Sequence, residues 1–332
     1  MQIQRPFYRY SSYLKQKYGR PVYRISVDAG FTCPHRDSDG GGGCTFCDES
    51  GSRATYQESV VGESAIRIRR GVDVSPERLE IIRRQIERGR EFLYRRYGAE
   101  RYILYFQAFS NTFAPPAQLR RIYDFALSQT EFCEFIVSTR PDCVSGRHIE
   151  LLAEYLKQDL DVWVELGLQS AHNHTLRRVN RAHTVEQFES TFRRLHAAGL
   201  KVSVHLIFGL PGESFDDIMA TADYVAALQP DAVKIHNLNI AAETPLAAEY
   251  AAGVFTVPSG RRHLGYVVEA LQRLPENTVI QRLTCDTADE RLVAPRYFTP
   301  KSQFYQQLDS KMVQLKVYQG CRFSRTPAPT YF

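Results

Sequence analysis

Three cysteines, Cys33, Cys44 and Cys47, crowd one short glycine-rich loop, TCPHRDSDGGGGCTFCDESG, directly after a strand-like run that ends at Asp28 and Ala29. Soft thiolate ligands at this density mark a metal site. Three thiolates hold three irons of a four-iron, four-sulfur cluster and leave the fourth iron free to bind a ligand and take part in chemistry. A zinc ion closed by His35 or Asp48 as fourth ligand satisfies the same loop. The loop by itself leaves both readings open.

At 332 residues the chain exceeds the usual single core, yet α/β barrels reach this length as one domain with appendages. A hydrophobic share of 43% and a charged share of 24% exclude disorder as the general state. No run approaches a membrane span, and the stretch MQIQRPFYRY lacks the apolar segment of a secretory signal, so a cytoplasmic protein with no membrane association is expected. Seven cysteines, unevenly clustered, fit a reducing compartment and metal ligation better than a disulfide framework. Cys133, Cys143, Cys285 and Cys321 are then expected to be free thiols. The net charge of +5 is modest, but arginine is concentrated in IRIRRGVDVSPERLEIIRRQIERGREFLYRRYG. That segment forms either a basic surface for RNA or another polyanion, or a solvated helix face in which arginines meet glutamates.

Short apolar runs alternate with helix-like patterns from about residue 22 to 240, which predicts βα units and a parallel sheet. Six strands are predicted at 22–28, 102–107, 133–139, 161–169, 201–209 and 232–239, all rich in β-branched and aromatic residues. The helices carry their own signals. Ser75 and Pro76 open the first, whose apolar face is Leu79, Ile82, Ile86 and Leu93, and Gly98 closes it. Thr184 and Gln187 form a capping box, with Gly199 as the stop, and Ser214 caps the next helix.

Six such units make either an open doubly wound sheet or a partial barrel, and the strand faces decide between them. Glu165 shares a face with Gln169, Ser203 with His205, and Lys234 with His236. An open sheet covered on both sides buries such groups unpaired at about 1 to 3 kcal/mol each, whereas a wet concave interior accommodates them. The expected architecture is an N-terminal extension of residues 1–21, a partial (β/α)6 TIM-like barrel over 22–250, and an α+β extension over 251–332 that covers it. This extension holds a helix at 258–273, the strand-like TVIQRL and a helix near 300–317.

The blocks DAGFTCPHRD, GGCTFCDESG, YFQAFSNTFAP, STRPDC, VELGLQS, VNRAHT, HLIFGLPGES and VKIHNLN follow in an order that resembles the radical S-adenosylmethionine (SAM) superfamily. The nearest resemblance is to its YhcC-like branch, related to the radical domain of the Elongator catalytic subunit. It covers nearly the whole chain and implies a [4Fe–4S] cluster on Cys33, Cys44 and Cys47, with SAM bound to the open iron. Ten residues separate Cys33 from Cys44, where three are usual in the superfamily; the wide gap resembles the Elongator-like branch and lets the loop spread. The resemblance places Phe106 and Gln107 where backbone acceptors meet the SAM ammonium. Gln169, Arg181 and His205 match positions that grip SAM in oxygen-independent coproporphyrinogen oxidase, with Arg181 pairing with the carboxylate and the other two reaching the ribose or nearby polar atoms. Ser138 stands where a glutamate often precedes the Thr-Arg pair, which alters the setting of the cofactor-side Arg140. Glu243 stands where relatives tend to have glycine.

The implied chemistry is one-electron cleavage of SAM to methionine and a 5′-deoxyadenosyl radical that takes hydrogen from a substrate, and it implies a flavodoxin- or ferredoxin-like electron donor. On the substrate side, Lys234 and His236 point into the cavity as acid/base or anion-binding groups, or else pair with Glu165 or another interior carboxylate. Cys285 is a candidate hydrogen-atom donor, against the plainer reading of a small buried thiol. No second three-cysteine motif is visible, which argues against sulfur insertion. The competing class is a zinc-stabilised RNA-binding protein with tyrosines stacking on bases; within the enzyme class, tRNA modification competes with small-molecule or peptide chemistry.

Overall fold

The computed structural model describes residues 6–36, 42–47, 71–158, 160–285, 287 and 290–324. Helix α1 (Tyr10–Tyr18) precedes strand β1 (Tyr23–Val27), and α2 (Pro76–Tyr97) leads to β2 (Tyr102–Phe106). Then follow α3 (Pro116–Leu127), β3 (Phe132–Thr139), α4 (Gly146–Tyr155), β4 (Asp161–Gln169), α5 (Asn173–Arg178), α6 (Val185–Ala197), β5 (Lys201–Phe208), α7 (Phe215–Leu228) and β6 (Ala232–Asn237). The short β7 (Ile240–Ala241), α8 (Pro245–Ala251), α9 (Gly260–Arg273), β8 (Val279–Arg282), β9 (Leu292–Ala294) and α10 (Lys301–Leu315) complete the described chain. The expected start and stop chemistry operates. Ser75 accepts from the Arg78 amide and Gly98 takes a left-handed φ of 60° at the end of α2, while Thr184 and Gln187 cap α6 reciprocally.

Seven strands form one sheet in the order β1-β2-β3-β4-β5-β6-β8, each pair parallel. The six expected strands occupy their places. The segment TVIQRL, assigned from sequence to the extension, adds the seventh by pairing with β6. Helix α9 supplies the crossover, so the last βα unit repeats the geometry of the earlier ones. The sheet is curled. In a flat sheet β2 and β6 lie four strand spacings, about 19 Å, apart, yet Lys234 Nζ of β6 donates to Tyr105 Oη of β2 at 2.8 Å.

The outer face carries Ile25, Val27, Leu104, Phe106, Phe135, Val137, Val164, Val202, Val204, Val233 and Ile235, packed under the helices in one continuous core. The inner face divides along its height. Near the strand starts, Ile103, Ile136, Trp163, Ala232 and Val279 are apolar and pack on Tyr10 and Leu14 of α1. Near the strand ends the inner face is polar and lines a cavity. Helix α1 thus plugs one end of the half-barrel, and the Ile280 amide of β8 bonds to the Tyr8 carbonyl at 2.8 Å to anchor the plug.

Three of the seven arginines of α2 meet glutamates on the same helix: Arg83 with Glu80 and Glu87, Arg84 with Glu80, and Arg95 with Glu91. This is the solvated-face alternative; residues 66–70 of the same basic segment lie outside the described residues.

Candidate functional site

An open cavity with about 140 Å³ of water-accessible space occupies the polar end of the half-barrel. Its rim holds Cys33, Cys44 and Cys47, and its walls include Gln107, Ser138, Arg140, Gln169, Arg181, His205, Lys234 and His236. Residues far apart in sequence meet here because parallel strands deliver their carboxyl ends to one side of the sheet.

The cysteine loop is pinched rather than spread. Arg36 and Gly42 form an antiparallel bridge, the Gly43 amide bonds to the His35 carbonyl at 2.9 Å and the Arg36 amide to the Cys33 carbonyl at 3.2 Å. The bridge draws together the two described ends of the span between Cys33 and Cys44, and both thiols line one cavity. The loop is then stitched to the barrel: the Thr45 amide donates to Val179 and the Leu246 amide to the Thr45 carbonyl, both at 3.1 Å. Asn180 donates to the Gly43 carbonyl at 2.7 Å, and Phe46 packs on Val179, Ile207, Leu238 and Leu246. Burial pushes the Cys33 thiol up, and burial with the neighbouring Cys44 pushes Cys47 up to about 11. These groups give up their protons when a metal takes them as ligands. Among the described residues no three His, Cys, Asp or Glu side chains converge on a single ion, and Asp48 lies outside them.

Two guanidinium groups face Cys44. Arg181 Nη1 lies 3.5 Å and Arg140 Nη1 4.0 Å from its sulfur, with His35 Nε2 at 3.7 Å. Arg140 is locked by Asp142 at 2.9 and 2.8 Å, and Arg181 by the Gly167 carbonyl at 3.1 Å and His183 at 3.0 Å. Non-glycine residues in the left-handed region surround the cavity: Phe109 (φ 64°), Gln169 (φ 75°), and Asn180 and Ala182 on either side of Arg181 (φ 51° and 57°). Each costs about 1 to 2 kcal/mol, and such strain gathers where the backbone must aim a functional group. Glu243, where relatives tend to have glycine, also takes a left-handed φ of 62°.

Deeper in the cavity the polar groups interlock. Glu165 accepts from Lys234 and Ser138 at 2.8 Å each and from Tyr105 at 2.5 Å, and Arg24 lies 3.8 Å away. Ser138 and Glu165 are register partners on adjacent strands. A carboxylate from the next strand therefore stands beside position 138. Burial alone raises the Glu165 carboxyl, but Lys234 and Arg24 overcome it and hold it well below the usual carboxylate range. Burial, with Arg282 and Arg24 nearby, pushes Lys234 down to about 8 despite its partner. The His205 and His236 rings meet edge to face at 4.2 Å, and burial keeps both neutral.

Phe106 turns its ring into the helix-side core, and its carbonyl already accepts from Asn111 at 3.1 Å. Gln107 lines the cavity and accepts from Ser26 at 3.3 Å. Cys285 follows β8 and sits beside Asn237 and Asn239, its sulfur 3.5 Å from the Asn237 carbonyl, outside the cavity lining. Sequence reasoning passed over Ser110, 3.3 Å from the Cys33 sulfur, and Tyr105, Arg24 and Asp142, whose roles depend on partners distant in the chain.

The site fits a [4Fe–4S] cluster with SAM: three thiols face one cavity, cationic donors flank one of them, and Gln169 Oε1 and His205 Nε2 are buried with no hydrogen-bond partner among the described residues. A family model described as the radical SAM superfamily matches residues 31–225, and one described as the radical SAM C-terminal domain matches 230–314. The chain belongs to the radical SAM superfamily. Within it the place is the YhcC-like branch. The chain is 32% identical over 320 residues to the uncharacterized protein MJ0486 of Methanocaldococcus jannaschii, covering 96% of this chain and 93% of that protein. To protein YhcC of Escherichia coli it is 32% identical over 298 residues, covering 89% and 88%. The solved structure of the archaeal Methanocaldococcus infernus Elp3 with an N-terminal deletion shares the fold at a TM-score of 0.64 and 18% identity, over 90% of this chain and 64% of that one. The protein is therefore a radical SAM enzyme, with a [4Fe–4S] cluster and SAM as cofactors, and it requires a reductant. A zinc-stabilised binding module is not favoured.

Gly167 sits tight against Arg181 and Gln169. A Cβ there meets Arg181 Nη2 at 2.4 Å and Gln169 Nε2 at 2.8 Å. Gly167→Ala is expected to displace Arg181 and weaken SAM binding about tenfold or more, with iron content unchanged, as equilibrium dialysis of the reconstituted protein will show. Arg140→Met removes an N–H donor beside Cys44. Because donors to cluster sulfurs raise the potential, an EPR-monitored titration should find the variant's midpoint more negative than wild type.

Proposed function

We propose that the enzyme removes a hydrogen atom from a substrate held at the deep end of the half-barrel cavity, beside Lys234 and His236. When bound, cluster and SAM together supply a 5′-deoxyadenosyl radical by one-electron reduction of the sulfonium. The chain's own residues do the rest. Cys33, Cys44 and Cys47 anchor the cluster, Arg181 holds the SAM carboxylate, and Gln169 and His205 satisfy their unpartnered atoms on SAM. Gln107 and the carbonyl of Phe106 lie on the ammonium side, while Arg140 and Ser138 set the wall between cluster and cavity floor. Lys234, paired with Glu165, is the acid/base candidate, and His236 faces the substrate; Cys285, at the end of β8, is the candidate hydrogen-atom donor.

The observation that carries this reading is the convergence of the three cysteines and the polar inner strand faces on one cavity. Its polar floor lies behind the curled sheet and the α1 plug, a setting that shields a reactive carbon radical from solvent reductants. We place the reading in the cytoplasm, with a flavodoxin- or ferredoxin-type donor, and divide the chain into an extension (1–21), the partial barrel (22–250) and a second extension (251–332) that also lends the sheet its seventh strand, β8. Among the described residues no helix is long and apolar enough to cross a membrane. The Elongator-like spacing of the cysteine loop is what supports RNA as substrate; on α2, Arg83, Arg84 and Arg95 are engaged by glutamates of the same helix and offer it less charge than the sequence suggests. Anaerobic incubation of the reconstituted protein with SAM and dithionite tests the core of the reading. It should yield 5′-deoxyadenosine and methionine in equal amounts, and a protein that holds the cluster but yields neither would refute it.

A further inference from the structure

Among the described residues, positive charge exceeds negative charge around the deep end of the cavity. Lys234 lines it and Arg24 and Arg282 stand behind it, against two carboxylates, Glu165 and, beside Arg24, the buried Glu134. Arg282 is the register partner of Lys234 on the neighbouring strand, so its charge bears on Lys234 and on both histidines. Arg24 spends part of its charge on the faces of Tyr10 and Tyr105, 4.7 and 5.1 Å from the ring centres. Buried cations left over in this way are costly unless a partner of opposite charge arrives.

The donors left over point the same way. Lys234 has three N–H bonds, and the described contacts use two of them, to Tyr105 and to Glu165. His236, two residues along the same strand and on the same face, is buried with no partner for Nε2 among the described residues. Its neighbour His205 is likewise unpartnered at Nε2, but the SAM side accounts for it. Burial and the neighbouring cations push both imidazoles toward the neutral form, in which one ring nitrogen keeps its proton; with that proton on Nε2, His236 offers a neutral N–H beside an ammonium. A lysine head and an imidazole N–H on one strand face form a fork for two oxygens of one anionic group.

We propose that the deep end binds an anionic oxygen group of the substrate, a carboxylate or a phosphate, with Lys234 Nζ and His236 Nε2 as its direct donors. Such a group anchors the substrate at the cavity floor and leaves its remaining part toward the cluster rim, where hydrogen is removed. The proposal rests on the functional reading above for its direction, since SAM must occupy the rim for the floor to be the substrate's place.

The test uses anaerobically reconstituted full-length protein with SAM bound, in a buffer free of other oxyanions, titrated calorimetrically with inorganic phosphate and, separately, with acetate. One saturable site is expected for at least one of the two. Binding of phosphate alone assigns a phosphate-bearing substrate, acetate alone a carboxylate-bearing one, and both an anion site selected by charge. Lys234→Met should abolish the binding. His236→Phe, which leaves the Glu165 pair intact, should weaken it about tenfold, the loss of one hydrogen bond, while His236→Gln, which keeps an N–H, should retain most of it. No binding of either anion, or binding equally strong in His236→Phe and Lys234→Met, overturns the proposal. Formation of 5′-deoxyadenosine is assayed in the same preparation. Anion binding without it would refute the radical reading and leave the anion site standing, whereas its formation without anion binding would do the reverse.

Discussion

Replacing Glu165 with leucine is expected to destabilise the folded protein by about 3 to 5 kcal/mol, the usual cost of leaving a buried partner charge uncompensated. Glu165 and Lys234 are 2% and 3% exposed, so little solvent compensates the lysine once the carboxylate is lost. Tyr105 and Ser138 lose their acceptor in the same step. The double variant Glu165→Met with Lys234→Met should recover more than half of the loss, about 2 kcal/mol or more, because both charges leave together. Urea unfolding of the cluster-loaded proteins measures this. The difference also has a pH signature. The carboxyl is held below its unfolded value, so its contribution is fully present above about pH 4.3 and is lost as the pH falls through the lower folded value. Wild type and Glu165→Leu should therefore converge in strong acid. A silent Glu165→Leu at neutral pH would show that the ion pair does not organise the cavity floor.

The second large effect falls on the cluster. Alanine at Cys33, Cys44 or Cys47 leaves two thiolates for a cube that needs three, and each variant should lose most of the roughly four irons bound by wild type. Formation of 5′-deoxyadenosine should fall to background. Alanine at Cys133 or Cys321, half-buried thiols far from the loop in sequence, should leave iron content unchanged. Iron and sulfide analysis after anaerobic reconstitution decides the matter, and full iron in Cys44→Ala would move the cluster away from this loop.

The order of strands and helices was legible because each βα unit signals locally. Period-two and helical spacing, Ser75 with Pro76, and Thr184 with Gln187 all act within a few residues. The three thiols were legible for the same reason. The seventh strand was less so, since Val279–Arg282 is only four residues long and its register shifts beside Lys234. The pinching of the cysteine loop rests on a bridge between Arg36 and Gly42 that spacing cannot reveal. Lys234 and Glu165 stand 69 residues apart, and Tyr105 and Lys234 stand 129 apart. Only the curl of the sheet joins them. Asn180 and Ala182, whose left-handed backbone aims Arg181, carry no glycine to announce a turn. Interior polar residues could be named from strand alternation, but which of them pair and which keep an open atom depends on closure in three dimensions.

The central claim is that three cysteines hold an iron–sulfur cluster with one iron open to SAM. EPR spectroscopy of the dithionite-reduced, reconstituted protein before and after addition of SAM tests it most directly. The account predicts a reduced [4Fe–4S] signal whose shape changes when SAM binds. A colourless protein holding one tightly bound zinc, or a cluster signal that SAM leaves unaltered, would contradict it.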